Sequence, residues 1–242
     1  PDHPHLMPNL DQRAEIRQLI NDKSPADAFA AYYALYHDIK RVSLFLHHDP
    51  AGRADGFLVR AQTGMDLFRP VVSIRAACDE TALALFQAGL VPNRPYYLVA
   101  PLVLAGAVNR YLAVADAELL QIYRLDPARF EPQINVMVVS NPSPDGWPRF
   151  EINSNGVAQA SAGINWRSAY FAEVYVHTQP AARSRGWGKA VVSALAAFLL
   201  KEGLTPLYIV NEQNKTSIKL AESLGFADTG AREYTGQATL RG

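Results

Sequence analysis

Cysteine is almost absent from this chain. Cys78 is the only one in 242 residues, so no internal disulfide can staple the fold, and the usage matches a reducing compartment such as the cytoplasm. Long apolar runs are missing as well: none approaches the ~20 residues of a membrane span, so no membrane partner is expected. Charge of one sign is not in excess either. The 23 basic residues balance 23 acidic ones, whereas a nucleic-acid binder normally shows a basic surplus. The opening PDHPHLMPNL lacks the regions of a signal peptide.

What is present is ordinary globular composition, 49% hydrophobic and 19% charged, in a chain long enough for one large or two modest domains. Residues 26–36, ADAFAAYYALY, read as helix, and RVSLFLHHD, FLVRAQTG and RPVVSIRAA read as strands separated by turn material. DETALALFQAGL has an acidic start, apolar spacing and a closing glycine, which together mark a helix, and RPYYLVAPLVL is a further extended segment. Residues 1–107 are therefore expected to form a smaller mixed α/β domain. Within it, Cys78 reads better as a small buried residue than as a catalytic thiol. His47, His48 and Asp49 could suggest a metal site, but neighbouring strand residues point to opposite faces, and no metal is expected.

A second domain is expected over residues 108–242, where RYLAV reads as a strand and Asp116 is placed to cap a helix AELLQIYRL. Residues 127–148, with several prolines, read as loop with one short strand. RFEINSNG and VAQASAGINW suggest a hairpin across an Asn-Gly turn, and AYFAEVYVHT alternates clearly as a strand. AVVSALAAFLLKEG is an apolar-faced helix stopped at Gly203, LTPLYIV is another strand, and Asn214 caps KTSIKLAESL, which Gly225 and Phe226 close.

Between a strand and a helix lies RSRGWGKAV, residues 183–191. That order aims backbone N–H groups and the positive end of a helix dipole at one point, and Arg183, Arg185 and Lys189 add charge around it. Glycine at 186 and 188 lets a phosphate approach the main chain. A Walker loop is excluded, because Lys189 is followed by alanine and the earlier glycine is missing. A dinucleotide fingerprint is excluded by Val191 at its third glycine position.

Arg183-x-x-Gly186-x-Gly188 instead resembles the [QR]-x-x-G-x-[GA] signature of the GNAT superfamily of N-acetyltransferases, with Pro180 placed as in the longer form of the motif. NKTSIKLAESLGF resembles the last motif of that family through Asn214, Ser217, Leu220 and Gly225-Phe226. The resemblance spans residues 108–236, and element order alone extends it to a degenerate GNAT-like half in residues 1–107, whose strand–helix junction has no glycine loop. It implies an α/β fold with a central mixed, mostly antiparallel sheet flanked by helices, and acetyl-coenzyme A as cosubstrate.

The resemblance also implies roles. Val176, His177 and Thr178 would offer main-chain groups to the pantetheine arm, between AYFAEVYVHT and LTPLYIV. Arg183, Ser184, Arg185, Gly186, Trp187, Gly188 and Lys189 would hold the pyrophosphate, and Asn214 and Ser217 would face the coenzyme near its sulfur or linker. Trp187 is expected to pack on the strand, an adenine platform being the other reading. Glu173 is the candidate base, against the competing reading of a solvent-facing or structurally paired glutamate, and His177 is a second candidate on the same face. Many GNAT enzymes protonate the thiolate from a tyrosine at the position of Ala221, so here Tyr208, Ser217 or solvent must do so. The expected function is transfer of acetyl to a primary amine of a small molecule or peptide, by direct attack in a ternary complex. The alternative is a non-catalytic acyl-coenzyme A-binding module in which Ala221 marks lost chemistry. A monomer or homodimer is expected.

Overall fold

The computed structural model describes residues 8–63, 66 and 68–241. Two compact units emerge: one takes the chain up to Leu120 together with the segment from Ala231 on, and the other spans Gln121–Gly230.

The first unit opens with α1 (Pro8–Leu19) and α2 (Ala28–Ala31), which runs on as a π-helical turn over Tyr32–Tyr36. There follow β1 (Val42–His48), β2 (Ala54–Ala61), β3 (Val71–Ala76), α3 (Asp79–Gly89), β4 (Pro95–Pro101) and α4 (Ala105–Tyr111). β5 (Leu112–Leu125) then carries the chain into the second unit. β1, β2 and β3 pair antiparallel, and β3 pairs parallel with β4 across the α3 crossover. Apolar spacing on α3 buries Ala82, Leu85 and Phe86 against Leu58, Ile74, Tyr96 and Leu98 of the strands. Each large side chain so buried contributes roughly 1.5–3 kcal/mol.

The second unit contains β6 (Val138–Ser140), β7 (Arg149–Ser154), β8 (Val157–Arg167), β9 (Phe171–Thr178), α5 (Trp187–Lys201), β10 (Thr205–Asn211) and α6 (Lys215–Ser223). β11 (Phe226–Leu240) starts there and ends in the first unit, pairing antiparallel with β4 over Glu233–Thr239. The order in the second unit is β5-β10-β9-β8-β7-β6, with β9 and β10 parallel across α5. The hairpin of β7 and β8 turns at Asn155-Gly156, both at positive φ, as a two-residue turn with the strands' own twist requires. α5 buries Val191, Leu195 and Leu199 and ends in a Schellman motif: Gly203 lies at φ 76, and the Leu204 N–H donates to the Leu199 carbonyl at 2.9 Å.

Several expectations need correction. AELLQIYRL is not a helix capped by Asp116: it belongs to β5, and Asp116 sits at φ 51 as an irregularity within the strand. Helical spacing of Leu119, Ile122 and Tyr123 lost to pairing on both edges, since β5 lies between β10 and β11. Gly236 of β11 faces this irregularity, and a Cβ there would meet Val114 Cγ1 at 2.7 Å and the Ala115 carbonyl oxygen at 2.8 Å. Arg110 and Tyr111 close α4 rather than opening a strand, and β11 was not expected at all. Cys78 is exposed, at the N-cap of α3, because the strand–helix turn lifts it out of the core. The compact units divide within β5, not at the expected 107/108 boundary, which falls inside α4. No helix among the described residues is long and apolar enough to cross a membrane.

Candidate functional site

β9 and β10 pair at three positions only, Phe171 with Thr205, Ala172 with Pro206 and Glu173 with Leu207. Beyond Glu173 the two strands carry no further partners for each other, so a cleft opens towards the ends of both. On its other edge β9 pairs with β8 throughout, with a bulge between Ile164 and Trp166 opposite Glu173. The bulge re-aims Asn165, whose amide Nδ2 donates to Glu173 Oε1 at 3.0 Å.

Glu173 is half-buried. Desolvation pushes its carboxyl up to about 7, against hydrogen bonds from Asn165 and Trp166 that favour the ionised form. Tyr175 and His177 share its face by alternation, while Ala172 and Val174 point into the core under α5. Gly163, opposite Tyr175, is forced by contact: a Cβ there would lie 2.6 Å from the Tyr175 hydroxyl. His177 is exposed near the end of β9.

The loop after β9 makes a short 3-10 turn, Pro180–Ala182, then passes Ser184 at φ 63 and Gly186 at φ 73. Ser184 holds a left-handed conformation that favours glycine, a strain that clusters at ligand sites. No side chain caps α5 at Gly186, so its first N–H groups remain free of an intramolecular cap. A Cβ at Gly186 would meet nothing within 4 Å, which marks open space over that helix start. Arg183, Ser184, Arg185 and Gly186 are exposed around it, and Lys189 is half-buried. Trp187 packs against the core of the second unit with the Arg185 guanidinium over its ring at 5.0 Å, the packed geometry expected of it. At Gly188 a Cβ would lie 2.9 Å from Thr178 Oγ1 and 3.4 Å from Leu220 Cδ1, so glycine allows β9, α5 and α6 to converge.

α6 is capped where α5 is not. Asn214 Oδ1 accepts from the Ser217 N–H at 3.1 Å, which commits that oxygen to the helix. The Ser217 hydroxyl in turn meets the Tyr208 hydroxyl at 2.7 Å, and the Tyr208 ring stands 5.6 Å from that of Phe226. Burial raises the Tyr208 phenol above its ordinary value, against the Ser217 hydrogen bond. Tyr208 sits on the helix-covered face with Val174 and Ala221, so the expected catalytic groups divide: Glu173 and His177 on one face of the sheet, Tyr208 on the other. Asn165 escaped sequence reasoning, because a bulge register depends on strand pairing and leaves no local pattern. His47 and His48 go to separate partners, Asp55 and Glu15, each at 2.6 Å.

Residues 160–235 match the FR47-like protein family. No curated protein matches the sequence. Among solved structures, a GCN5-related N-acetyltransferase from Sphaerobacter thermophilus is similar over 97% of this chain and 94% of its own, at 11% identity and a TM-score of 0.64. One from Kribbella flavida covers 89% and 95% at 14% identity and a TM-score of 0.61. The tandem GNAT protein from the clavulanic acid biosynthesis pathway covers 96% and 94% at 12% identity and a TM-score of 0.56. At these identities the likeness establishes the fold.

Proposed function

We propose that this chain, which shares the fold of the GNAT structures it resembles, is an acetyl-coenzyme A-dependent N-acetyltransferase of that superfamily, acting on a primary amine of a small molecule or peptide by direct attack in a ternary complex. The observation that carries this reading is a half-buried carboxylate, Glu173, at the fork where two parallel strands part, beside a basic, uncapped helix start.

The residues present fit the coenzyme. The open space over Gly186, the free N–H groups of α5 and the exposed Arg183 and Arg185 suit a pyrophosphate, with Ser184, Trp187, Gly188 and Lys189 completing the loop. Main-chain groups of Val176 and Thr178, which alternate away from β8 on the edge that β10 leaves beyond Glu173, suit an amide-bearing arm, whereas those of His177 face Ser161 of β8. The coenzyme supplies an activated acetyl thioester. Glu173, with a carboxyl near 7, accepts the proton of an incoming ammonium directly or through water, and its neighbour His177 offers a second acceptor. Tyr208 holds its proton at neutral pH and shares it with Ser217, which stands one helical turn from Ala221. That hydroxyl pair supplies the proton for the leaving thiolate in place of a tyrosine at 221. A cytoplasmic location suits a chain whose one thiol is unpaired, and monomer and homodimer both remain compatible with this reading.

Ala221, fully buried in the core, favours one other reading, a non-catalytic acyl-coenzyme A-binding module. Turnover separates the two. Free thiol release from acetyl-coenzyme A in the presence of an amine panel should fall by about 10²–10⁴ in Glu173→Gln, the usual worth of a positioned base. Coenzyme affinity should be unchanged in that variant. Binding without any amine-stimulated thiol release would favour the module.

A further inference from the structure

The first unit repeats the plan of the second. Three antiparallel strands end in β3, a helix crosses to the parallel β4, and a second helix follows, as β7, β8, β9, α5, β10 and α6 do. The parallel register is repeated too: Val71 with Tyr97, Val72 with Leu98 and Ser73 with Val99, after which β3 and β4 part. Ser73 thus stands where Glu173 stands in the other unit.

A cavity of 390 Å³ lies at this second fork, within the roughly 300–1,000 Å³ of small-molecule sites. Arg75, Ala76 and Ala77 line it from the free end of β3 and Pro101 from that of β4, with Asp27 and Asp55 facing in from other segments of the unit. The phosphate loop has no counterpart. β3 joins α3 through Ala77 and Cys78 alone, and the first turn of α3 carries Asp79 and Glu80 where α5 has Lys189 behind two arginines.

We propose that this cavity is a separate ligand site, taking a small organic cation with an apolar body, an amine or guanidine, and rejecting phosphate-bearing coenzymes. The charges decide this. Arg75 is held by its neighbours: Nε donates to Asp27 Oδ1 at 2.9 Å, and its terminal nitrogens to the carbonyls of Ile74 and Ala26, both at 2.9 Å. Asp27 and Arg75 therefore cancel. Asp55 remains, its charge offset only where His47, whose Nδ1 lies at 2.6 Å, is protonated; it also accepts from the Thr81 hydroxyl at 3.1 Å and keeps acceptor capacity to spare. Desolvation raises its carboxyl, but the hydrogen bonds from His47 and Thr81 outweigh it and leave the group below the ordinary value, hence ionised at neutral pH. Leu19, Pro101, Val103 and Leu104 supply apolar wall for the ligand body.

The test uses three probes of one shape, phenethylammonium, 2-phenylethanol and 3-phenylpropionate, titrated calorimetrically into the full chain. Phenethylammonium should bind saturably at millimolar concentration or below, one per chain, at least about tenfold more tightly than the other two. Asp55→Asn should lose about tenfold in affinity by removing the charge. Ala77→Trp should lose as much by filling the cavity, and because Ala77 is exposed this variant keeps its fold if Asp55→Asn does not. Acetyl-coenzyme A affinity should be the same in all three proteins, which separates this site from the acyl-transfer reading. Equal affinity for the three probes, no binding of the ammonium, or wild-type affinity in Ala77→Trp or folded Asp55→Asn would overturn the proposal.

Discussion

At Glu173 the balance between burial and hydrogen bonding sets the pH at which the proposed chemistry can run. With the carboxyl near 7, the base is protonated in mild acid, so kcat/KM should rise with pH through an ionisation near 7. Asn165→Ala removes a donor that favours the carboxylate and should move that limb to higher pH, measured as kcat/KM for the amine at saturating acetyl-coenzyme A. The same shift acts on stability. The folded state holds this proton more tightly than the unfolded chain, so the contribution is full below the ordinary value of 4.5 and is lost as pH rises towards 7. Glu173→Gln should therefore raise the melting temperature at pH 8 more than at pH 5, with at most roughly 3 kcal/mol available. Equal effects at both values would mean that the carboxyl is not held in its acid form.

At the level of elements, the contrast between the two helix starts carries the argument. α6 is closed by Asn214, whereas α5 is open at Gly186 and pressed against β9 at Gly188. Gly188→Ala must displace Thr178 from a 2.9 Å approach, so it should weaken coenzyme binding and stability together. Asn214→Ala should cost about 1 kcal/mol of stability, read by denaturant unfolding. These elements were legible in the sequence because local signals agree with tertiary demands: glycine at Gly186 and Gly203, a side-chain cap at Asn214, alternation along β9. β5 and β11 were not, because their neighbours lie far away in sequence and Asp116 mimics a helix cap. Likewise the basic, uncapped helix start could be read from residues 183–189, while the Asn165–Glu173 contact depends on a bulge that only pairing reveals.

Across the whole chain the plan occurs twice and the basic glycine-containing loop once. Two forks between parallel strands, β3 with β4 and β9 with β10, raise the question of two coenzymes per chain. The answer lies in the connections, Ala77-Cys78 before an acidic helix start in one unit and residues 179–186 before a basic one in the other. Calorimetric titration with acetyl-coenzyme A, repeated on Gly186→Glu, tests this most directly. The position is open to solvent, so the substitution places a negative side chain over the helix start without a steric clash, at a backbone cost of about 1 kcal/mol. The account predicts one coenzyme bound per chain at micromolar affinity and no binding by the folded variant. Two equivalents per chain, undiminished affinity in Gly186→Glu, or no binding to the folded wild-type protein would contradict it.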